Sequence, residues 1–381
     1  MGIEIVKIRD RKQVRAFHRL PHRLYQNDPN WAPPFEFELE SIFDPQKNKF
    51  FEYGECERYL VYKDGKVTAR FAVMHTWERD RHKNPPMGGI GFIEMEHDAT
   101  VCESMIDFAR EWNRSRGFEW MQGPINFGEN DTYWGLHIEN HEEPPIYGMF
   151  YHKPYYKALL EQTGATRLDD HLSYKRYFHT GLPERLKYIV ERLERRDDVE
   201  VRQMTPATIE EMAPRILDIY NEAWSTQDIS EREEEFTPLS LEDILATAHK
   251  MKRVMIPEGN LMVFVDGEPA SFLASIPDLY ELSAELNGKM RWWHILKVLR
   301  FKNKASRLRT LAFGTKPKFR KMGLEVLAFV KGIQWIENNY PAMKLFEGGW
   351  VSEKNWLMQR SLRALGMEHH KTHRTYCWEI E

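Results

Sequence analysis

The same order of elements runs through this chain twice, and that duplication restricts its fold more than any other feature. In the first copy, an apolar run from Tyr59 to Tyr62 meets Val67 to Met74 across Lys63-Asp64-Gly65-Lys66. In the second, Leu261 to Val265 meets Ala270 to Ile276 across Asp266-Gly267-Glu268. Asp-Gly between apolar runs is a hairpin signal, because both residues tolerate the positive φ that a tight turn needs. A strand (Ile90 to Met95), an amphipathic helix (Ala99 to Arg116) and a strand (Glu119 to Gln122) follow the first hairpin. A strand (Leu308 to Phe313), a helix opening after Gly323 and a strand (Met343 to Phe346) follow the second. Each copy then has a helix ending in glycine, Tyr155 to Gly164 and Trp356 to Gly366. Each is expected to close on its own alternating strand, Leu172 to Phe178 and Arg374 to Ile380. This pattern predicts an α/β (α+β) chain of two domains, each a mixed, mostly antiparallel sheet flanked by helices. The expected bounds are 1–179, a charged linker or helix at 180–200, and 201–381.

Totals narrow the function classes. A length of 381 residues suits two domains of ~150 each. The net charge of −4 gives no overall basic field for DNA. No apolar run approaches the ~18 residues of a membrane span, and the start, MGIEIVKIRDRK, lacks the apolar core of a signal peptide. Cys56, Cys102 and Cys377 are odd in number and far apart, which fits a reducing cytoplasm rather than a disulfide framework.

The copies differ between strand and helix. The first has Glu94-Met95-Glu96-His97-Asp98 there, whose carboxylates would repel a phosphate. The second has a basic turn, Lys316 to Gly323, opening a helix whose N–H groups and dipole favour an anion. This segment resembles the coenzyme A loop of the GNAT acyltransferase superfamily, Arg/Gln-x-x-Gly-x-Gly/Ala, with Arg320 and Gly323 in register. Glu325 stands where that pattern has a small residue, and a carboxylate beside a pyrophosphate is unfavourable unless it turns outward. Strand Met343 to Phe346, Glu347-Gly348-Gly349-Trp350, an Asn355-started helix and Leu365-Gly366 resemble the superfamily's terminal block. Trp31-Ala32-Pro33-Pro34, Gly123-Pro124-Ile125-Asn126-Phe127 and Tyr220-Asn221-Glu222-Ala223-Trp224 extend the resemblance to a poorly characterised family of bacterial tandem-GNAT proteins.

The resemblance implies an acyl-CoA-dependent N-acyltransferase whose cosubstrate is acetyl-CoA or a longer acyl-CoA. The first copy would then be a GNAT-like domain without the coenzyme A loop. Backbone amides of Leu311, Ala312, Phe313 and Gly314 would hold the pantetheine and the thioester carbonyl, and Arg320, Lys321, Met322 and Gly323 the diphosphate. Glu347 is the first candidate for the base that frees the amine, Glu353 the second, and Asn355 is a further candidate for contact with the pantetheine. No side chain stands out as the acid for the leaving thiolate, since the helix offers Met358, Gln359 and Arg360. Asn126, Asn130 and Tyr133, in a Gly-Pro-rich loop, and Trp350 are candidates for the acceptor, a small-molecule or lipid amine.

Two other functions compete with this one. A degenerate, non-catalytic pair of GNAT folds acting as a ligand-binding or scaffold module is supported by Glu325 and the missing acid. Transfer from aminoacyl-tRNA is opposed by the acidic net charge and the lack of a coiled-coil arm. His369, His370 and His373 are crowded, but they read as strand and no Cys or carboxylate set joins them, so no metal is expected. The basic run Lys297, Arg300, Lys302, Lys304, Arg307 and Arg309 suits peripheral contact with anionic lipid or the adenosine 3′-phosphate of coenzyme A.

Overall fold

A computed structural model describes residues 2–76, 80, 85–225 and 239–380. Chain contacts divide it into two compact units. The first holds 1–172, 283–290 and 371–381; the second holds 173–282 and 291–370. This division departs from the expected 1–179, 180–200 and 201–381.

The first unit opens with β1 (Ile3–Lys7), α1 (Arg11–Leu24) and α2 (Glu36–Ile42). The hairpin β2 (Gly54–Lys63) and β3 (Lys66–Thr76) follows, turning at Asp64-Gly65 with φ of 52° and 76°. Then come β4 (Met87–Met95), α3 (Ala99–Arg114), β5 (Trp120–Gly123), the short β6 (Leu136–His137) and α4 (Tyr155–Gln162). β7 (Thr166–Tyr177) begins in this unit and ends in the second. The strand order is β1-β2-β3-β4-β5, with the chain's last strand beside β5. One face of α3 buries Val101, Cys102, Met105, Ile106 and Ala109 on this sheet, at the i, i+3, i+4 spacing of an amphipathic helix.

The second unit continues through α5 (Glu184–Glu194), β8 (Val199–Gln203), α6 (Ile209–Ser225) and α7 (Leu241–Met251). The hairpin β9 (Leu261–Val265) and β10 (Glu268–Pro277) turns at Asp266-Gly267, with φ of 50° and 77°. Next come α8 (Leu279–Glu285), whose residues from 283 on belong to the first unit, then α9 (Ile295–Phe301), β11 (Arg307–Thr315), α10 (Leu324–Asn339), β12 (Leu345–Ser352) and α11 (Trp356–Ala364). The last strand is β13 (Glu368–Glu379). The order in this unit is β7-β12-β11-β10-β9-β8. The charged 180–200 segment contains the helix α5. Leu186, Val190 and Leu193 of α5 are buried, and Glu194 pairs with Lys331 of α10.

The closing strands are exchanged relative to the sequence expectation. Residues 371–379 of β13 complete the first unit, where Tyr376 lies opposite Gly123 and Trp378 opposite Met121. Trp378 is fully buried there, and its Nε1 donates to Thr163 Oγ1 at 2.9 Å. Residues 173–177 of β7 belong instead to the second unit. Alternation marks both segments as strands but carries no information on which sheet receives them.

Candidate functional site

The second unit contains a fork between two parallel strands. β11 and β12 pair at Arg307–Leu345, Leu308–Phe346 and Arg309–Glu347, and the ladder ends there although both strands run on. β10 stays paired with β11 out to Thr315 on the other side. Beyond Arg309, alternate amides of β11 therefore face the gap without a strand partner. The β10–β11 register shifts between Ala274–Ala312 and Ser275–Thr310, which leaves Leu311 as an extra residue. A bulge re-aims the local backbone, and it falls at the first of the candidate amides 311–314.

A 3-10 turn, Pro317–Phe319, and the segment Arg320 to Gly323 lead from β11 into α10. Gly323 is the N-cap with φ of 88° and offers no capping side chain, so the first-turn N–H groups point onward uncapped. A Cβ at this position would sit 2.9 Å from Ile189 Cγ2 of α5, so both backbone and space require glycine. The basic residues divide into two groups. Lys316 is buried against Asp218, and 3.4 Å from Glu222, while Lys318 Nζ donates to Glu268 at 2.6 Å. Arg320 donates to the Ala223 carbonyl at 2.8 Å, and Lys321 is exposed. Lys321 and the outward-lying Arg320 are the exposed cations nearest the helix start among the described residues.

Glu347 stands at the branch of the fork and is 1% exposed. Ser173 Oγ of β7 donates to its Oε1 at 2.9 Å. His370 Nδ1, from the first residues of β13, lies 3.2 Å from Oε2. Arg309, also buried, is its register partner. Sequence reasoning selected Glu347 from its place at a strand end but missed Ser173, His370 and Arg309 as its surroundings. No local motif joins these four; only the sheet order does.

An apolar pocket occupies the fork. Phe272 and Leu273 of β10, Thr310 and Phe313 of β11, and Phe346 of β12 line it. Ala328 and Phe329 of α10, Leu362 and Leu365 of α11, and Met367 complete the lining. Glu325 also reaches in, so the carboxylate turns inward rather than outward. Among the described residues, Glu325 Oε2 and Thr310 Oγ1 are buried without a hydrogen-bond partner. Each such atom costs about 1–3 kcal/mol unless a ligand or water meets it.

The other candidates have simpler settings. Asn355 is the N-cap of α11, its side chain accepting from Met358 N at 3.0 Å. Glu353 follows the end of β12, and its carbonyl accepts from Gln359 Nε2 at 2.7 Å. Trp350 lies on β12 beyond the branch, half-buried. Asn126, Asn130 and Tyr133 belong to the first unit. Asn126 is buried and its Oδ1 lacks a hydrogen-bond partner among the described residues. Tyr133 is buried with φ of 55°, and Asn130 is half-buried. His369 and His370 fall in the second unit and His373 in the first. Among the described residues, no group of His, Cys, Asp and Glu is arranged to hold a metal ion.

The first unit has the same fork with different contents. β4 and β5 pair in parallel only from Met87–Trp120 to Gly89–Gln122. Here the returning backbone fills the gap, with Ile125 N donating to the Ile90 carbonyl at 2.9 Å. Asp98 caps α3 by accepting from Thr100 N and Val101 N, which occupies the donors an anion would need. Glu94 is buried and accepts from Tyr25 at 2.7 Å and Tyr156 at 2.9 Å. Burial pushes the Glu94 carboxyl up from its ordinary range.

No protein-family model matches the chain. Two similar proteins span nearly its whole length. One is a bacterial ceramide synthase from Caulobacter vibrioides, 27% identical over 390 residues, covering 98% of this chain and 97% of that one. The other is protein YghO of Escherichia coli, 26% identical over 376 residues, covering 96% and 93%. Among solved structures, a tandem GNAT protein from the clavulanic acid biosynthesis pathway superposes with a TM-score of 0.59 at 13% identity, covering 100% of this chain and 99% of that one. A GCN5-related N-acetyltransferase from Sphaerobacter thermophilus gives 0.52 at 12% identity, with 100% and 96% covered. The chain has the tandem GNAT fold.

Proposed function

We propose that the second unit transfers an acyl group from a coenzyme A thioester to an amine, and that the amine belongs to a lipid. The fork carries this reading. Unpaired β11 amides, an uncapped helix start with Arg320 and Lys321, and a buried carboxylate at the branch occur together on one unit. The similarity to a protein named for ceramide synthesis supports a lipid amine as acceptor.

The assignment follows the chemistry. The first-turn amides of α10, Arg320 and Lys321 take the diphosphate. Pantetheine contains two amide groups, and the two orphaned atoms suit them: Glu325 Oε2 can accept an amide N–H, and Thr310 Oγ1 can serve an amide carbonyl. Amides from Leu311 to Gly314 polarise the thioester carbonyl. The amine nitrogen attacks that carbon as the C–S bond breaks. Glu347 accepts the proton lost by nitrogen, and the thiolate takes one from water. Trp350, on β12 beyond the branch, is assigned to the acceptor.

Binding of acyl-CoA by calorimetry and turnover against amines of increasing chain length test the reading. Lys321→Glu, at an exposed site, is expected to weaken acyl-CoA binding about tenfold. Glu347→Gln is expected to lower kcat by about 10²–10⁴ while binding persists. Absence of binding by acyl-CoA of any chain length overturns the proposal. A second reading, a non-catalytic ligand-binding module, is favoured by the carboxylate of Glu325 inside the fork. Binding without turnover across the amine series selects it.

A further inference from the structure

The basic run from Lys297 to Arg309 does not act as one surface. Arg307 is tied to the Asp278 carboxylate, and Arg309 is buried at the fork. The cations before them lie at the N-terminal end of β11, whereas the helix start proposed for the diphosphate follows its C-terminal end. At ~3.3 Å per residue, a nine-residue strand spans roughly 27 Å. The adenosine 3′-phosphate is therefore not their partner.

What surrounds those cations is exposed apolar surface. Trp292 is 84% exposed, Leu296 60%, Trp293 50%, Leu299 49% and Ile295 38%. Val298 and Phe301 of the same short helix are buried, so α9 is anchored and its outer side is not bared by loose packing. Leu296 and Leu299 lie three residues apart on one face of α9, and Trp292 and Trp293 sit in the 3-10 turn that leads into it. Arg291, Lys297, Arg300 and Lys304 are exposed beside it, and no acidic residue occurs between Glu285 and Glu325.

We propose that this face docks on a lipid bilayer bearing anionic headgroups. Tryptophan favours the boundary between headgroups and acyl chains, and lysine and arginine gain from a negative surface beside it. A second copy of the chain is a poor occupant, because self-pairing would oppose the same cations with no carboxylate from this segment between them.

Flotation of the full chain with vesicles tests this. It is expected to bind phosphatidylcholine vesicles containing about 30% phosphatidylglycerol, and to bind them less as salt rises from about 0.1 to about 0.5 M. Trp292→Ser with Leu296→Ser should weaken binding about tenfold with an unchanged melting temperature, since both side chains are exposed. Lys297→Glu with Arg300→Glu should weaken binding to anionic vesicles and leave the smaller binding to neutral ones. Three results overturn the proposal: no vesicle binding by the parent chain, equal binding by the variants, or a concentration-dependent dimer that Trp292→Ser with Leu296→Ser disrupts. The measurement needs no acyl donor, so its outcome is separate from that of the turnover experiment.

Discussion

Glu325 is the residue at which the two functional readings diverge. Its carboxylate enters an otherwise apolar fork and leaves one oxygen buried without a partner. If it accepts a pantetheine amide, Glu325→Ala should raise the KM for acyl-CoA about tenfold with little change in kcat, as expected for a lost uniform binding contact. If the carboxylate merely blocks the fork, the same substitution should tighten binding. Calorimetry and steady-state kinetics on one variant separate these outcomes. Gly323 is a poorer probe, because any side chain there meets both φ of 88° and Ile189. A histidine cluster gives a residue-scale prediction for the first unit. His137 stacks on His373 with ring centroids 5.1 Å apart, and His152 Nδ1 accepts from His137 N. Burial first, then neighbouring imidazoles, hold His137 and His152 well below 6.5, so both are neutral in the fold. The unfolded chain takes up their protons once the pH drops below about 6.5, and the fold does not. Stability from these two groups is thus complete above about pH 6.5 and is lost as pH falls toward their folded values. Denaturation midpoints that stay constant from about pH 7.5 to about 5.5 would contradict this.

Elements differ in how plainly the sequence announces them. The Asp64-Gly65 and Asp266-Gly267 hairpins were legible because the turn chemistry is local and few dipeptides satisfy it. The helix after Gly323 and the Asn355 start of α11 were legible for the same reason. Asn355→Ala should cost about 1 kcal/mol of stability through the lost bond to Met358 N. Urea denaturation measures that cost, and a fall in turnover beyond it would indicate a second role for Asn355. The fork was only partly legible. Strands 308–313 and 343–346 were recognised, but β12 runs to Ser352, and where its ladder with β11 ends is set by sheet-wide register. The surroundings of Glu347 were not legible at all. Ser173 and His370 come from strands far apart in the chain, and neither carries a sequence signal of its destination. The run 297–309 shows the opposite failure: composition grouped six cations that the fold divides between an exposed helix, an ion pair and a buried fork.

At the scale of the whole molecule, the duplicated order suggests two halves that could be separated, whereas the exchanged strands imply that they cannot. A fragment 1–179 lacks residues 371–379, so β5 keeps β4 but loses its partner on the other side, and the first core loses the buried Tyr376 and Trp378. A fragment 201–381 lacks residues 173–177 beside β12 and lacks α5, whose Leu186, Val190 and Leu193 are buried. Its Glu347 also loses Ser173. Removing a buried Trp alone costs about 3–5 kcal/mol, a large share of the about 5–15 kcal/mol that a domain has. Each fragment expressed alone is therefore expected to lack a cooperative thermal transition, while co-expression of 1–179 with 180–381 restores one, because the second fragment returns β13. Deleting only 371–381 gives the sharper form of the test. Hydrogen exchange should then rise first in β4, β5 and α3, which belong to the first unit, although the cut is made at the far end of the chain. Exchange rising first in β9 to β12 would restore each closing strand to its own half and would mean that the exchange does not occur.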